Sequence, residues 1–167
     1  MSNQSDIETD RFSLGIELKR DNVTVSYLSS LLRVLQAALR EVALDHSGAR
    51  EHFDRSPQPV LVLPRISVEE TLTLHLVFID PIAATPMEEL SVHTFDAFLD
   101  RLGEYVTSLP QPGLWGGASR RSPGRPFESE VSRRMDQVYD ELRRAPKAVL
   151  RFRARYIEIE GDRMEIA

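Results

Sequence analysis

The sequence predicts an α+β fold: a mainly antiparallel sheet of about five strands with two or three helices on one face. Three observations carry this expectation. Leu72, Leu74, Leu76 and Phe78 alternate with Thr71, Thr73, His75 and Val77, the period-two signature of a strand with one buried face. Tyr27, Leu28, Leu31, Leu32, Leu35, Leu39 and Val42 recur at spacings of three and four, the signature of an amphipathic helix. Short polar turns near Glu69-Glu70 and at Gly161-Asp162 join apolar runs, and turns that short join only antiparallel neighbours.

In chain order, residues 1–10 read as a disordered lead-in, and residues 11–167 as a single α+β domain. Phe12, Leu14, Ile16 and Leu18 alternate with Ser13, Gly15, Glu17 and Lys19, a half-buried strand. Thr24 stands as an N-cap for the first helix, with Val23 and Leu28 placed as a hydrophobic staple across it. Polar residues from Gly48 to Pro59 connect this helix to the hairpin of residues 60–79, expected to form the middle of the sheet. Pro64 cannot donate to a strand ladder and marks a bulge or an edge.

Thr85-Pro86-Met87-Glu88 reads as a capping box with proline at the first helical position. The second helix follows, with a fresh start at Ser91, and is expected to bury Leu90, Phe95, Phe98, Leu99, Leu102, Val106 and Leu109 before Pro110 stops it. Residues 110–126 hold four prolines and four glycines, which prevent regular structure. Loops of that length inside a domain tend to be functional or disordered. The third helix carries Val131, Met135, Val138 and Leu142, a narrow stripe suited to one neighbouring helix or to a partner's helix. Leu150, Phe152, Ala154 and Tyr156 then alternate with Arg151, Arg153 and Arg155 in a strand. The apolar phase changes at Ile157 and Ile159, which implies a bulge near Tyr156. The resulting order is β-α-β-β-α-α-β-β. With the third helix treated as an insertion, its first part resembles the βαββαβ order of ferredoxin-like folds, an architectural likeness that brings no functional residue with it.

Composition bounds the function. With no cysteine among 167 residues, a disulfide framework, a thiolate zinc site and a cysteine nucleophile are all excluded. Residues 1–8 have neither the basic start nor the apolar run of a signal peptide, and no stretch has the roughly 18 apolar residues of a membrane span. The expectation is a soluble, cytoplasmic protein without membrane contact. The net charge of −5 is unevenly spread: residues 119–155 hold eleven Lys/Arg against five Asp/Glu, and the rest is acidic. Such asymmetry marks either a partner surface or two parts of one fold that pair with each other.

Catalytic patterns are few. No nucleophile elbow, phosphate-binding loop, dinucleotide fingerprint or zinc-protease helix occurs. His93, Asp96 and Asp100 share a helix face as i, i+3 and i+4 neighbours do, but they lack a second set of ligands. His46 and His52 are six residues apart, which fits no metal motif. His75 lies on the polar phase of its strand. No catalytic residue, cofactor or metal is therefore expected, and nothing argues for an enzyme.

Two features suggest partners. Alternation would line up Arg151, Arg153 and Arg155 on one sheet face, successive guanidinium groups roughly 6.6–6.8 Å apart, able to track phosphates or to pair with acids across the sheet. The sole tryptophan, Trp115, lies in the Gly/Pro-rich loop beside Arg120, Arg121 and Arg125, residue types enriched at binding hot spots. The first expectation is a non-catalytic protein–protein interaction module, or a small subunit of a larger assembly or homo-oligomer. The contact would form through the third helix and the Trp115 loop. Nucleic-acid binding through the basic segment 119–155 is the alternative, and a small enzyme of unknown type the third.

Overall fold

The computed structural model describes residues 11–19, 23–45, 53–54, 58–108, 129–161 and 163–167. The strands are β1 (Leu14–Lys19), β2 (Val60–Val68), β3 (Thr71–Asp80), β4 (Thr85–Pro86), β5 (Ala148–Phe152), β6 (Arg155–Glu160) and β7 (Arg163–Ile166). The helices are α1 (Val25–Asp45), α2 (Glu88–Thr107) and α3 (Glu130–Arg143). All the strands join one antiparallel sheet in the order β2-β3-β1-β5-β6-β7, with β4 on β3.

β3 lies between β1 and β2, the strands that flank α1, and β1 lies between β3 and β5, the strands that flank α2 and α3. Each βαβ unit is thus split by one strand, the arrangement the element order anticipates. β6 and β7 extend it on one side. The hairpin of residues 60–79 is not the middle of the sheet, because β2 is an edge and β1 is central. Hairpin turns fix only which strands are neighbours; the crossovers through the helices decide what lies beyond them.

One face of the sheet is covered. Leu14, Ile16 and Leu18 of β1 are fully buried and join a cluster with residues from all three helices. Burying side chains of this kind contributes roughly 1.5–3 kcal/mol each. Phe78 of β3 stacks on Phe95 of α2 with centroids 5.9 Å apart, and Phe95 meets Phe152 of β5 edge-on at 5.9 Å. These rings pin α2 across the centre of the sheet. On the opposite face Glu17, Thr73, His75, Arg151, Tyr156 and Glu158 are at least partly exposed, while Val77 and Val149 are buried there.

The start of α1 agrees with its sequence signal: Thr24 Oγ1 accepts from the Tyr27 N–H at 3.0 Å. The start of α2 does not. Thr85 and Pro86 form β4, paired with Asp80 and Ile79, and the N-cap is Met87, with no side-chain cap. β1 stops opposite Leu76, which leaves that flank of β3 open further on. There the Met87 N–H donates to the Phe78 carbonyl at 2.7 Å, and the Phe78 N–H donates to Ser91 Oγ at 3.0 Å. Strand pairing has taken residues that local capping chemistry would have used, and Ser91 is a buried tie inside a continuous helix rather than a fresh helix start.

The third correction concerns the C-terminus. A two-residue turn, Arg153-Ala154, interrupts the expected strand and leads into β6, with Phe152 opposite Arg155. Arg153 carries a φ of +57°, in the region where hairpin turns favour glycine. The phase change at Ile157 is therefore a hairpin and not a bulge. β6 and β7 pair as the expected hairpin, with Glu160 opposite Arg163 and Gly161 at a φ of +57°. These additions bring the sheet to seven strands instead of about five.

Candidate functional site

The hairpin at Arg153-Ala154 scatters the three arginines singled out in the sequence. Arg151 stays on the open face, where its Nε donates to Glu17 Oε1 at 3.0 Å and its guanidinium lies 5.4 Å from the Tyr156 ring centre. Arg153 sits in the turn and donates to the Arg11 carbonyl at 3.3 Å. Arg155, opposite Phe152, lies on the helix-covered face and reaches both Asp96 and Asp100 of α2. Partial burial pulls the Arg155 pKa down, but its hydrogen bonds to Asp96 and Asp100 outweigh this and hold it above the ordinary value. The expected row of guanidinium groups does not exist.

Other cations of the basic segment are also engaged within the chain. Lys147 pairs with Glu158 across the sheet at 3.2 Å, Arg144 with Glu141 at 3.3 Å, and Arg133 and Arg134 with Glu130. Trp115, Arg120, Arg121 and Arg125 lie outside the described residues, as do His46, His52, the loop 110–126 and the lead-in 1–10.

The stripe of α3 is also spoken for. Val131, Met135, Val138 and Leu142 are all buried in the core formed with α1 and α2. Tyr27 of α1 donates to the Glu141 carbonyl at 2.8 Å, and Ser30 Oγ to Glu141 Oε1 at 2.9 Å. Burial pushes the Tyr27 hydroxyl up to about 12, with Glu141 adding to the rise and Arg144 opposing it. Tyr105 of α2 donates to Asp136 of α3. The expected partner helix is this chain's own.

The candidate catalytic groups do not converge. Asp96 and Asp100 are both taken up by Arg155, and His93 Nε2 lies 4.0 Å from Glu89. Among the described residues, no group of three or more His, Asp or Glu side chains is placed to hold a metal ion. No helix among them is long and apolar enough to cross a membrane.

A surface that the sequence reading missed lies on β2. Ile66, Leu74, Ile16, Leu150, Ile157 and Ile166 form one row across six strands. The four inner residues are at most 1% exposed, but Ile66 is 55% exposed. The next row begins at Val68, 56% exposed. The helices cover the centre of this face, and their cover runs out before β2. The register between β2 and β3 shifts between Val62 and Arg65, the stretch that holds Leu63 and Pro64. The extra residue there turns even-numbered Ile66 and Val68 onto the same face as odd-numbered Leu61.

Sheet edges present unpaired backbone groups, and proteins commonly blunt them with proline, bulges or charge. Here Pro64 and the bulge blunt the middle of β2, and residues 65–69 beyond it combine an edge unpaired by any strand among the described residues with two exposed β-branched side chains. A trace of this was visible in the sequence, since proline belongs at edges or bulges.

The chain matches no protein-family model, no curated protein and no solved structure.

Proposed function

We propose that the chain is a non-catalytic protein–protein interaction module whose contact element is the exposed half of β2. The observation that carries this is the exposure of Ile66 and Val68 on a strand that, among the described residues, has a neighbouring strand on one flank only. Strand addition to such an edge draws affinity from main-chain hydrogen bonds and specificity from alternate side chains. The role first assigned to α3 passes to β2, because the α3 stripe is core. Among the described cations of the basic segment, a phosphate backbone would have to displace Glu17, Glu158, Asp96, Asp100, Glu130 and Glu141, which disfavours the nucleic-acid alternative on that part of the segment.

The test is selection of a random displayed-peptide library on dilute immobilised protein. Counter-selection uses an Ile66→Lys, Val68→Lys variant, whose substitutions are solvent-exposed and spare the core. Extended segments with alternating apolar residues should be enriched on the wild type and should not bind the variant. Equal enrichment on both, or none on either, overturns the reading.

A further inference from the structure

We propose that the strand added to β2 is β2 of a second copy, in an antiparallel two-fold pairing centred on Ser67. This rests on the reading of β2 as the contact edge.

The backbone fixes which groups are available. The Lys19 N–H donates to the Lys147 carbonyl at 3.3 Å, and the Glu69 N–H to the Thr71 carbonyl at 3.1 Å. Antiparallel ladders alternate hydrogen-bonded and non-bonded pairs. Followed across β1, β3 and β2, that alternation turns the backbone groups of Arg65, Ser67 and Glu69 toward β3. The N–H and C=O of Ile66 and Val68 then point outward. An incoming antiparallel strand must offer outward-pointing residues of its own at the matching positions.

A second β2 does so when the axis passes Ser67. Ile66 then exchanges both main-chain bonds with Val68 of the second copy, and Val68 with its Ile66. Ser67 faces its own counterpart in a non-bonded pair. On the helix side the two exposed apolar residues of each copy meet those of the other. The buried row through Ile66 continues into the second copy's row through Val68, Leu72, Leu18 and Ala148. On the open face Arg65 comes opposite Glu69 of the second copy, twice by symmetry; both already interact within their own chain, and opposite charges directly across a strand pair add a favourable long-range contribution to what the backbone pairing supplies.

Neighbouring registers fit worse. An axis at Ile66 sets Val68 against Pro64, which has no N–H, and an axis at Val68 sets Ile66 against the turn residue Glu70. Both lose the Arg65–Glu69 pairing. A two-fold contact of this kind closes on itself, whereas pairing β2 with the far edge β7 would build an open chain.

The chain has no cysteine, so Ser67→Cys introduces a single thiol beside its symmetry mate. The Cα atoms of non-bonded antiparallel pairs lie about 4.5 Å apart, within disulfide reach. Under mild oxidation this variant should become a covalent dimer of twice the 19.0 kDa chain mass, and Arg65→Cys, whose thiols are off the axis, should not. In sedimentation velocity the wild type should show a concentration-dependent dimer. Arg65→Glu or Glu69→Arg alone should weaken it several-fold by setting like charges opposite, and the double exchange should restore it. Cross-linking no faster at position 67 than at 65 overturns the proposal, as does a ladder of larger species or a mass unchanged by the single swaps. If Ser67→Cys stays monomeric while selected peptides still bind β2, the second copy is the wrong occupant of a true edge. Failure of both removes the edge reading as well.

Discussion

The backbone N–H of Phe78 on β3 donates to the hydroxyl of Ser91 on α2 across 3.0 Å, at a point that β1 does not reach. That single side chain supplies the acceptor a neighbouring strand would otherwise provide, and Ser91 is fully buried. Ser91→Ala leaves a buried donor unsatisfied, so it should destabilise the fold by about 1–3 kcal/mol. Urea unfolding of the two proteins measures this. A loss within a few tenths of a kcal/mol would mean that the Phe78 amide finds another acceptor.

Leu142 of α3 is fully buried between the helices. Leu142→Ala should cost about 2–5 kcal/mol through lost burial and the cavity left behind. Because the helix packs on its own chain, that loss should be the same at low and high protein concentration. Calorimetric melts at two concentrations decide the point; a penalty that grows with concentration would return α3 to the status of a partner surface.

Ala84 and Arg153 hold φ values of +54° and +57°, a region that costs residues with a Cβ roughly 1–2 kcal/mol. Ala84→Gly should therefore stabilise by up to about 1 kcal/mol, once the greater freedom of glycine in the unfolded chain is set against the relief. That corresponds to a melting point roughly 2–4 °C higher. Arg153→Gly should melt above Arg153→Ala, since both lose the bond to Arg11 and only glycine relieves the backbone.

Tyr27 titrates near pH 12 in the folded chain instead of 10, chiefly because it is partly buried. The folded state thus favours the protonated hydroxyl. Between about pH 10 and 12 the unfolded tyrosine has lost its proton and the folded one has kept it, so stability falls with rising pH. Below pH 10 this contribution is fully present. Tyr27→Phe should lose about 1 kcal/mol at neutral pH with its hydrogen bond to Glu141, and should show a shallower alkaline decline. Urea midpoints across the alkaline range test both halves.

Much of the architecture was legible because it rests on local periodicity. The alternation in Leu14–Leu18 and Leu72–Phe78, the spacing from Tyr27 to Val42, the Thr24 cap and the Gly161 turn all appear where their residue types place them. The Arg153-Ala154 hairpin escaped detection because neither residue is a favoured turn former, and the phase change beyond it fits a bulge equally well. Thr85-Pro86-Met87-Glu88 carried every local mark of a helix start and still became a strand, because an open flank of β3 lay beside it. The candidate site was harder to read. Ile66 and Val68 belong to the hairpin expected at the middle of the sheet, and only the extent of helix cover shows that they are exposed.

The sequence by itself determined the element types, the antiparallel hairpins, the α+β class and the absence of thiol chemistry, since each depends on residues near one another or on composition alone. Tertiary structure alone decided that β1 is central and β2 an edge, that Arg151 and Arg155 lie on opposite faces of the sheet, and that the α3 stripe is core. It also decided that Ile66 and Val68 are left uncovered. Those properties depend on which distant segments share a neighbourhood, and the burial gained by the whole assembly selects that arrangement, not any signal within a few residues.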